Sequence, residues 1–271
     1  MDPAIHHQAR PPANAAKASS EEFSADLLGS LGRALWRRYN DKVVQDFVGR
    51  HLAARPGELF LKTDLFEEAL GDDWVQRAIP AGLVGMDISH SIVAAARRHS
   101  TRSPVLRADV RCLPFADASL GGVISTSTLD HFHDPKDLQL SLHEIGRVVR
   151  PGGVLILTLD NPLNPLLALR NAVPHTLRRL VGMTPYYVGY TCGPGRLGRW
   201  LADAGFEVRE SAAVLHFPRA LVALAGTVLR RLSLGRTEEA IISLLARAEV
   251  LKFWPTRWFT GHYIAVLATK L

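Results

Sequence analysis

Short apolar runs and amphipathic stretches alternate along most of this chain. Between residues 21 and 54, leucine and valine recur at spacings of three and four, which predicts helix up to the turn at Pro56-Gly57. Beyond that turn, apolar runs of strand length predict strands at residues 58–62, 83–87, 105–108, 122–126, 154–159, 206–214 and 262–269. Helical patterns separate several of them, at residues 73–77, 90–99, 138–149 and 195–204.

This alternation predicts an α/β fold. Strands separated by helices of this length form a mostly parallel sheet with helices on both faces. The last run, GHYIAVLATKL, follows two apolar helical segments, and we expect it to lie antiparallel in the sheet. Residues 21–271 then form a single domain with inserts at 161–194 and 215–258. Residues 1–20, which are rich in alanine, proline and polar side chains, are expected to be a disordered tail.

Composition narrows the class of protein without deciding its function. The 271 residues are 47% apolar, which is enough for a substantial core, and their net charge is +6. A positive charge favours contact with anions, but the arginines are scattered in pairs, as on an ordinary solvated surface. The two cysteines form no CxxC pair, so we expect no metal site and a reducing, cytoplasmic location. No signal peptide and no apolar run of bilayer length is predicted.

Acidic residues follow the second and third predicted strands, where a parallel sheet binds its ligands. Asp87 ends the second strand, and its two oxygens match the vicinal hydroxyls of a ribose; alternatively, it caps the next helix. Asp109 follows the third strand, where it would accept from the exocyclic amine of an adenine while Val110 offers a backbone amide. Its alternative is a simple turn. Together these residues favour a ligand that contains adenosine.

The loop after the first strand, LFLKTDLFEEALG, indicates which kind of adenosine ligand. A dinucleotide needs glycines so that backbone amides can approach its pyrophosphate, but this loop has none before Gly71. Asp64, Glu67 and Glu68 would also repel a diphosphate, unless they merely begin a helix. S-adenosylmethionine carries an ammonium and a sulfonium instead of phosphates and avoids both problems. Lys62 would then meet its carboxylate.

The run from Asp109 to Leu159 resembles the central part of a class I S-adenosylmethionine-dependent methyltransferase. It contains, in order, an acid, LPF, a polar turn, a strand, the step LDH, a helix that ends in RVVRPGG, and a strand. VGMDIS resembles the family's second strand and GFEV its sixth. Two features depart from the family pattern. The first loop lacks D-x-G-x-G-x-G, and Leu120-Gly121-Gly122 stands where Phe-Asp precedes the fourth strand.

The resemblance implies a Rossmann-like sheet of seven strands and a methyltransferase that uses S-adenosylmethionine on a small-molecule acceptor, with O-methylation favoured. Cofactor contacts are expected at Lys62, Thr63, Asp64, Asp87, Ile88, Asp109, Val110, Ser125 and Thr126. His131 is the candidate catalytic base, unless it only holds a loop. The expected acceptor pocket, whose tyrosines are alternatively ordinary packing, comprises Asp160, Asn161, Tyr186, Tyr187 and Tyr190.

Several questions stay open at the level of sequence. Because the first loop is atypical, the alternative function is a methyltransferase-like protein that binds the cofactor for a structural or regulatory purpose or catalyses another reaction. The helices of residues 215–258 are extra core or a dimer surface, a wall for a lipophilic acceptor, or an interfacial membrane anchor. Nucleic acid is not expected as a partner, whereas a homodimer is compatible with the sequence.

Overall fold

A computed structural model of the chain describes residues 34–52, 57–72, 74–79, 82–99, 103–173, 189–231 and 237–271. The strands are β1 (Phe60–Lys62), β2 (Leu83–Asp87), β3 (Val105–Arg107), β4 (Leu120–Thr126), β5 (Val149–Asp160), β6 (Phe206–Val214) and β7 (Tyr263–Lys270). The helices are α1 (Ala34–His51), α2 (Phe66–Ala69), α3 (Trp74–Ala78), α4 (His90–His99), α5 (Pro135–Val148), α6 (Pro165–Ala172), α7 (Pro194–Asp203), α8 (Arg219–Arg231), α9 (Glu238–Arg247) and α10 (Arg257–Thr260). Short 3-10 turns occupy Leu129–His131 and Ala248–Phe253.

The seven strands form one sheet in the order β3-β2-β1-β4-β5-β7-β6. Strands β1 to β5 are parallel, and β7 runs antiparallel to both β5 and β6. The predicted fold, a mostly parallel sheet with an antiparallel last strand, is confirmed. Strands β2 and β6 have the predicted bounds, whereas β5 begins five residues early because the backbone stays extended from Val149 through the RPGG sequence.

Helices cover both faces of this sheet. On one face, α1, α3, α8 and α9 share a core that includes Trp36, Phe47, Ile124, Ile156 and Tyr263. On the other face, α5 and α7 share a core that includes Leu142, Leu155, Leu157, Leu197 and Leu201. Burying each such side chain contributes about 1.5–3 kcal/mol, so the sheet is a firm support for the loops at its edges.

Helices α5 and α6 begin with the same local sequence device, a capping residue followed by proline. Asp134 accepts a hydrogen bond from the amide of Lys136 at 2.8 Å, and Asn164 accepts one from the amide of Leu166 at 3.0 Å. The cap satisfies an otherwise unpaired amide of the first turn, and the proline has no amide to satisfy. These caps fix where the loops after β4 and β5 end.

The carboxyl ends of β1, β2, β4 and β5 lie at one edge of the sheet, together with the first residue of β7, since Asp160 pairs with Tyr263. Strand order reverses between β1 and β4, and this is where sheets of this kind bind ligands. No helix within the described residues combines the length and the hydropathy needed to cross a bilayer. The expected tail at residues 1–20 lies outside the described residues.

Candidate functional site

The loop after β1 is organised around a buried lysine. Lys62 is 1% exposed, and its ammonium donates to Glu67 and Glu68, at 2.9 Å each, and to the carbonyl oxygen of Asp64. An ammonium has three protons, so these contacts use all of its donors. Burial alone would lower the pKa of Lys62, but the neighbouring carboxylates outweigh burial and raise it. Lys62 therefore holds the loop, and its contact with a ligand carboxylate stays a prediction.

Asp87 connects the loops that follow β1 and β2, and Asp64 makes a hydrogen bond within the first of them. Asp64 accepts from the amide of Phe66 at 2.6 Å. Asp87 accepts from the amide of Ser89 at 2.8 Å with one oxygen and from the amide of Leu65 at 3.3 Å with the other. Because each carboxylate oxygen has two lone pairs, both acids keep acceptor capacity for a ligand.

Acids outnumber cations around this loop. Burial and the charge of Glu67, with a further contribution from Asp87, raise the pKa of Asp64 to about 8 despite the presence of Lys62. Burial likewise raises the pKa of Asp87. In α1, burial and then Glu67 raise the pKa of Asp41 to about 7. Carboxyl groups with raised pKa values are held near one another in a poorly solvated place, so a bound cation would stabilise their charged forms.

The residues beside β2 and β3 are arranged differently from those beside β1. Ile88, next to Asp87, is exposed, while Val110 is buried. Asp109 forms an ion pair with Arg111, whose Nε and Nη2 atoms donate to its two oxygens at 3.0 and 2.6 Å. Burial alone would raise the pKa of Asp109, but this pairing lowers it. An adenine amine would have to share Asp109 with this guanidinium.

Hydroxyl groups line the end of β4. The hydroxyl of Thr63 lies within hydrogen-bond distance of the hydroxyls of Ser125, at 2.9 Å, and Thr128, at 3.2 Å, which joins the loops after β1 and β4. Ser125 and Thr126 are both buried. Ser127 has a φ of 50°, a left-handed conformation that costs energy for a residue with a side chain, and its amide is held by Thr158. Backbone strain of this kind concentrates where ligands bind.

His131 lies in the 3-10 turn after β4, with its side chain half exposed. Its Nε2 atom is 4.0 Å from Oδ1 of Asp130, and its charge acts on the pKa of Asp87. His131 therefore lies on the same side of the sheet edge as the acids of the first two loops. The neighbouring Asp130 is buried, and burial, with Asp160 adding to it, raises its pKa to about 6.

Comparison with known proteins finds similarity to methyltransferases. A family model described as a methyltransferase domain matches residues 69–157. A probable S-adenosylmethionine-dependent methyltransferase of Mycolicibacterium smegmatis is 26% identical over 134 residues, which are 49% of this chain and 47% of that protein. The matched segment and this relative support a class I S-adenosylmethionine-dependent methyltransferase. The resemblance seen in the sequence is thus confirmed, with S-adenosylmethionine as the cofactor of the family.

A further curated relative is also named as a methyltransferase. A malonyl-acyl-carrier-protein O-methyltransferase of Erwinia pyrifoliae is 33% identical over 140 residues, 49% of this chain and 51% of that protein. The chain spans about half the length of the curated relatives it matches.

Two solved structures share the fold. One is a methyltransferase of Thermotoga maritima described as a possible histamine N-methyltransferase, with a TM-score of 0.59, 15% identity and coverage of 93% of this chain and 99% of that one. The other is the (4+2)-cyclase SpnF, with a TM-score of 0.59, 17% identity and coverage of 94% of each chain. Identities this low show the fold alone.

The residues at the carboxyl end of β5 and directly after it make contacts within the protein. Asp160 is buried and forms an ion pair with Arg170, and its carbonyl accepts from Thr191. Asn161 is fully buried and donates to the carbonyl oxygens of Trp258 and Gly261 at 2.7 and 2.9 Å. The side-chain amide of Asn161 thus joins β5 to the segment before β7, and its contact with an acceptor stays a prediction.

Of the three tyrosines predicted for the acceptor pocket, Tyr190 lies among the described residues. Tyr186 and Tyr187 lie outside the described residues. The ring of Tyr190 packs against Trp200, with 6.0 Å between ring centroids, and its hydroxyl accepts from Arg196 at 2.7 Å. The alternative interpretation of this tyrosine as packing fits these contacts.

Sequence reasoning missed a buried polar group at this edge, formed by Asp130, Arg170 and His262. Nε2 of His262 is 3.8 Å from Asp160, and neither this atom nor Oδ1 of Asp130 has a hydrogen-bond partner among the described residues. Burial lowers the pKa of His262 to about 4. The LDH sequence indicated a functional position, but the prediction chose its histidine, His131, rather than Asp130. No nearby sequence motif indicates a role for Arg170 or His262.

Proposed function

We propose that this chain is an S-adenosylmethionine-dependent methyltransferase that acts on a small molecule. The observation that carries the proposal is the acidic, poorly solvated loop at the point where strand order reverses. Asp64, Asp87 and their neighbours suit a nucleoside that brings positive charge, and they do not suit a diphosphate. The site residues therefore fit the cofactor of the family.

Different residues would hold the different parts of this cofactor. Asp87 would bind the ribose hydroxyls, and Asp64 would accept from the ammonium. Val110 and Asp109 would frame the adenine, with Arg111 keeping the carboxylate of Asp109 in place. When bound, the cofactor supplies an electrophilic methyl group on a sulfonium. Thr63 and Ser125 would line the methyl-bearing end, because their linked hydroxyls lie between the loops after β1 and β4.

On the acceptor side, His131 is the candidate base. Its half-exposed ring can reach a ligand, and an imidazole takes up protons near neutral pH. O-methylation is the favoured reaction because an acceptor hydroxyl must lose a proton, which gives a base at this position a task. The similarity to an O-methyltransferase supports the same choice.

The direct experiment is calorimetric titration of the chain with S-adenosylmethionine and, separately, with NAD. We expect saturable binding of the first and none of the second. Incubation with isotopically labelled donor and host extract, followed by mass spectrometry, would then identify the methylated acceptor. Binding of NAD without S-adenosylmethionine would overturn the proposal.

A second candidate function is a reaction other than methyl transfer on the same fold. It is favoured by the atypical first loop and by the similarity of fold to a protein described as a (4+2)-cyclase. Saturable cofactor binding combined with no labelled product across extracts and acceptor panels would select this candidate over methyl transfer.

A further inference from the structure

The segment between α9 and β7 exposes an unusual concentration of aromatic side chains. Residues 252–259, with the sequence KFWPTRWF, are named here the aromatic segment. Phe253, Trp254 and Phe259 are 74%, 57% and 61% exposed. Large apolar side chains that are exposed together, rather than scattered singly, mark a surface that another phase or partner covers.

The aromatic segment is fastened to the sheet edge that carries the candidate site. Asn161, the first residue after β5, donates to the carbonyl oxygen of Trp258. Asn164 donates to the carbonyl oxygens of Thr260 and Gly261 at 3.2 and 3.1 Å. The aromatic segment is therefore held against the start of α6 by buried side-chain hydrogen bonds.

Helix α6 extends the apolar character of this region. Leu166 and Leu169 of α6 are more than half exposed, and Leu163 just before the helix is nearly so. These leucines lie next along the chain to Asn164, which contacts the segment around Gly261. Two exposed apolar elements thus meet beside the acceptor side of the candidate site.

The charges in these elements are all positive. Residues 250–261 contain Lys252 and Arg257 and no acid, and residues 161–173 contain only Arg170. The ammonium of Lys252 lies 5.1 Å from the ring centre of Phe253. The acid that precedes the aromatic segment, Glu249, is turned inward and accepts from the hydroxyl of Tyr39 at 2.5 Å.

We propose that the aromatic segment, with the leucines of α6, docks the protein on an anionic lipid bilayer. Aromatic rings are favoured at the level of lipid headgroups, and lysine and arginine beside them are attracted to anionic lipids. A symmetric contact between two copies would instead place this positively charged surface against the same surface of the other copy, and like charges repel. The charge pattern therefore favours a membrane over self-association.

Membrane docking also narrows the acceptor class, although this consequence rests on the proposed function. An acceptor that dissolves in the bilayer would reach the candidate site from the side where the aromatic segment lies. We therefore expect a lipophilic acceptor with a polar, methylatable group.

Co-sedimentation with vesicles tests the docking without any donor or acceptor, so its failure would leave the proposed methyl transfer untouched. We expect the full chain to partition onto phosphatidylcholine vesicles that contain phosphatidylglycerol, and to partition far less onto phosphatidylcholine alone. The double variant W254S/F259S should partition at least roughly tenfold more weakly, because it loses two apolar side chains from the interface. The double variant K252E/R257E should lose the preference for anionic vesicles.

The matched control is Leu140→Ser, which removes an exposed apolar side chain from α5, outside the aromatic segment and α6, and should leave partitioning unchanged. Thermal unfolding of each variant shows that the fold is retained. Equal binding of wild type and W254S/F259S would overturn the proposal. A second result would also overturn it. If wild type does not bind vesicles, and sedimentation velocity shows that it forms a dimer that W254S/F259S abolishes, the surface is an interface between copies.

Discussion

The two halves of the candidate site are built in different ways. On the donor side, Asp64 and Asp87 come directly after strands and make hydrogen bonds with amides close by in the chain. On the acceptor side, Asp160 contacts Arg170 and lies near His262, which directly precedes the antiparallel strand β7 far along the chain. The donor side therefore depends on local sequence, and the acceptor side depends on how distant elements assemble.

The largest expected effect is on the acceptor side. Arg170→Ala leaves the buried carboxylate of Asp160 without its partner, and we expect a loss of about 3–5 kcal/mol in the free energy of unfolding. Chemical denaturation measures this loss. Arg209→Ala is the matched control, because its ion pair with Glu207 is half exposed and contributes at most about 1 kcal/mol. Similar losses in both variants would show that Arg170 is not structurally special.

The next largest expected effect is on turnover, through His131 between the donor and acceptor sides. His131→Ala should lower turnover at least roughly a hundredfold if His131 is the base, while the affinity for S-adenosylmethionine stays unchanged. Steady-state kinetics and calorimetry separate the two quantities. His143→Ala, which removes an exposed histidine of α5, should leave both unchanged. Intact turnover in His131→Ala would assign this histidine to the support of its loop.

On the donor side, Asp87→Ala should weaken binding of S-adenosylmethionine by about 1.5–3 kcal/mol, roughly ten- to a hundredfold, through the loss of charged acceptors for the ribose. Calorimetric titration measures the change, and Asp203→Ala, an exposed acid on α7, serves as the control. Unchanged affinity in Asp87→Ala would remove the ribose assignment.

A smaller effect is the pH dependence of the unliganded protein. In the folded protein, burial and then Glu67 raise the pKa of Asp64 from its ordinary value of 3.8 to about 8. Between these values the folded state holds a proton that the unfolded state has lost, so stability falls as pH rises through this window. Asp64→Asn should thus be more stable than wild type at pH 8, by at least about 1 kcal/mol, and this difference should vanish near pH 4. A difference that is independent of pH would mean that Asp64 is ionised throughout.

The sequence could predict the fold and the donor side because the relevant signals are local. Apolar runs mark the strands, and Asp87 stands at the end of one. The burial of Lys62 could not be predicted, because it depends on Glu67 and Glu68 folding back over the strand end. A charged lysine at the end of a strand ordinarily faces water, and no neighbouring residue signals otherwise.

The acceptor side resisted prediction for a different reason. The sequence predicts Asn161 in the acceptor pocket because it follows β5. In the structure, its side-chain amide donates to the carbonyl oxygens of Trp258 and Gly261. The register between β5 and β7 brings those carbonyls there, and register is a property of the assembled sheet. The same register brings His262 towards Asp160, which no spacing in the sequence reveals.

The most direct test of the cationic-ligand site is a calorimetric comparison of wild type and Asp64→Asn with two ligands, S-adenosylmethionine and adenosine. Only the first carries an ammonium. We expect Asp64→Asn to lose roughly tenfold or more in affinity for S-adenosylmethionine, which corresponds to one charged hydrogen bond, and to keep its affinity for adenosine. Equal losses for both ligands would contradict the assignment and would show that Asp64 only shapes the loop.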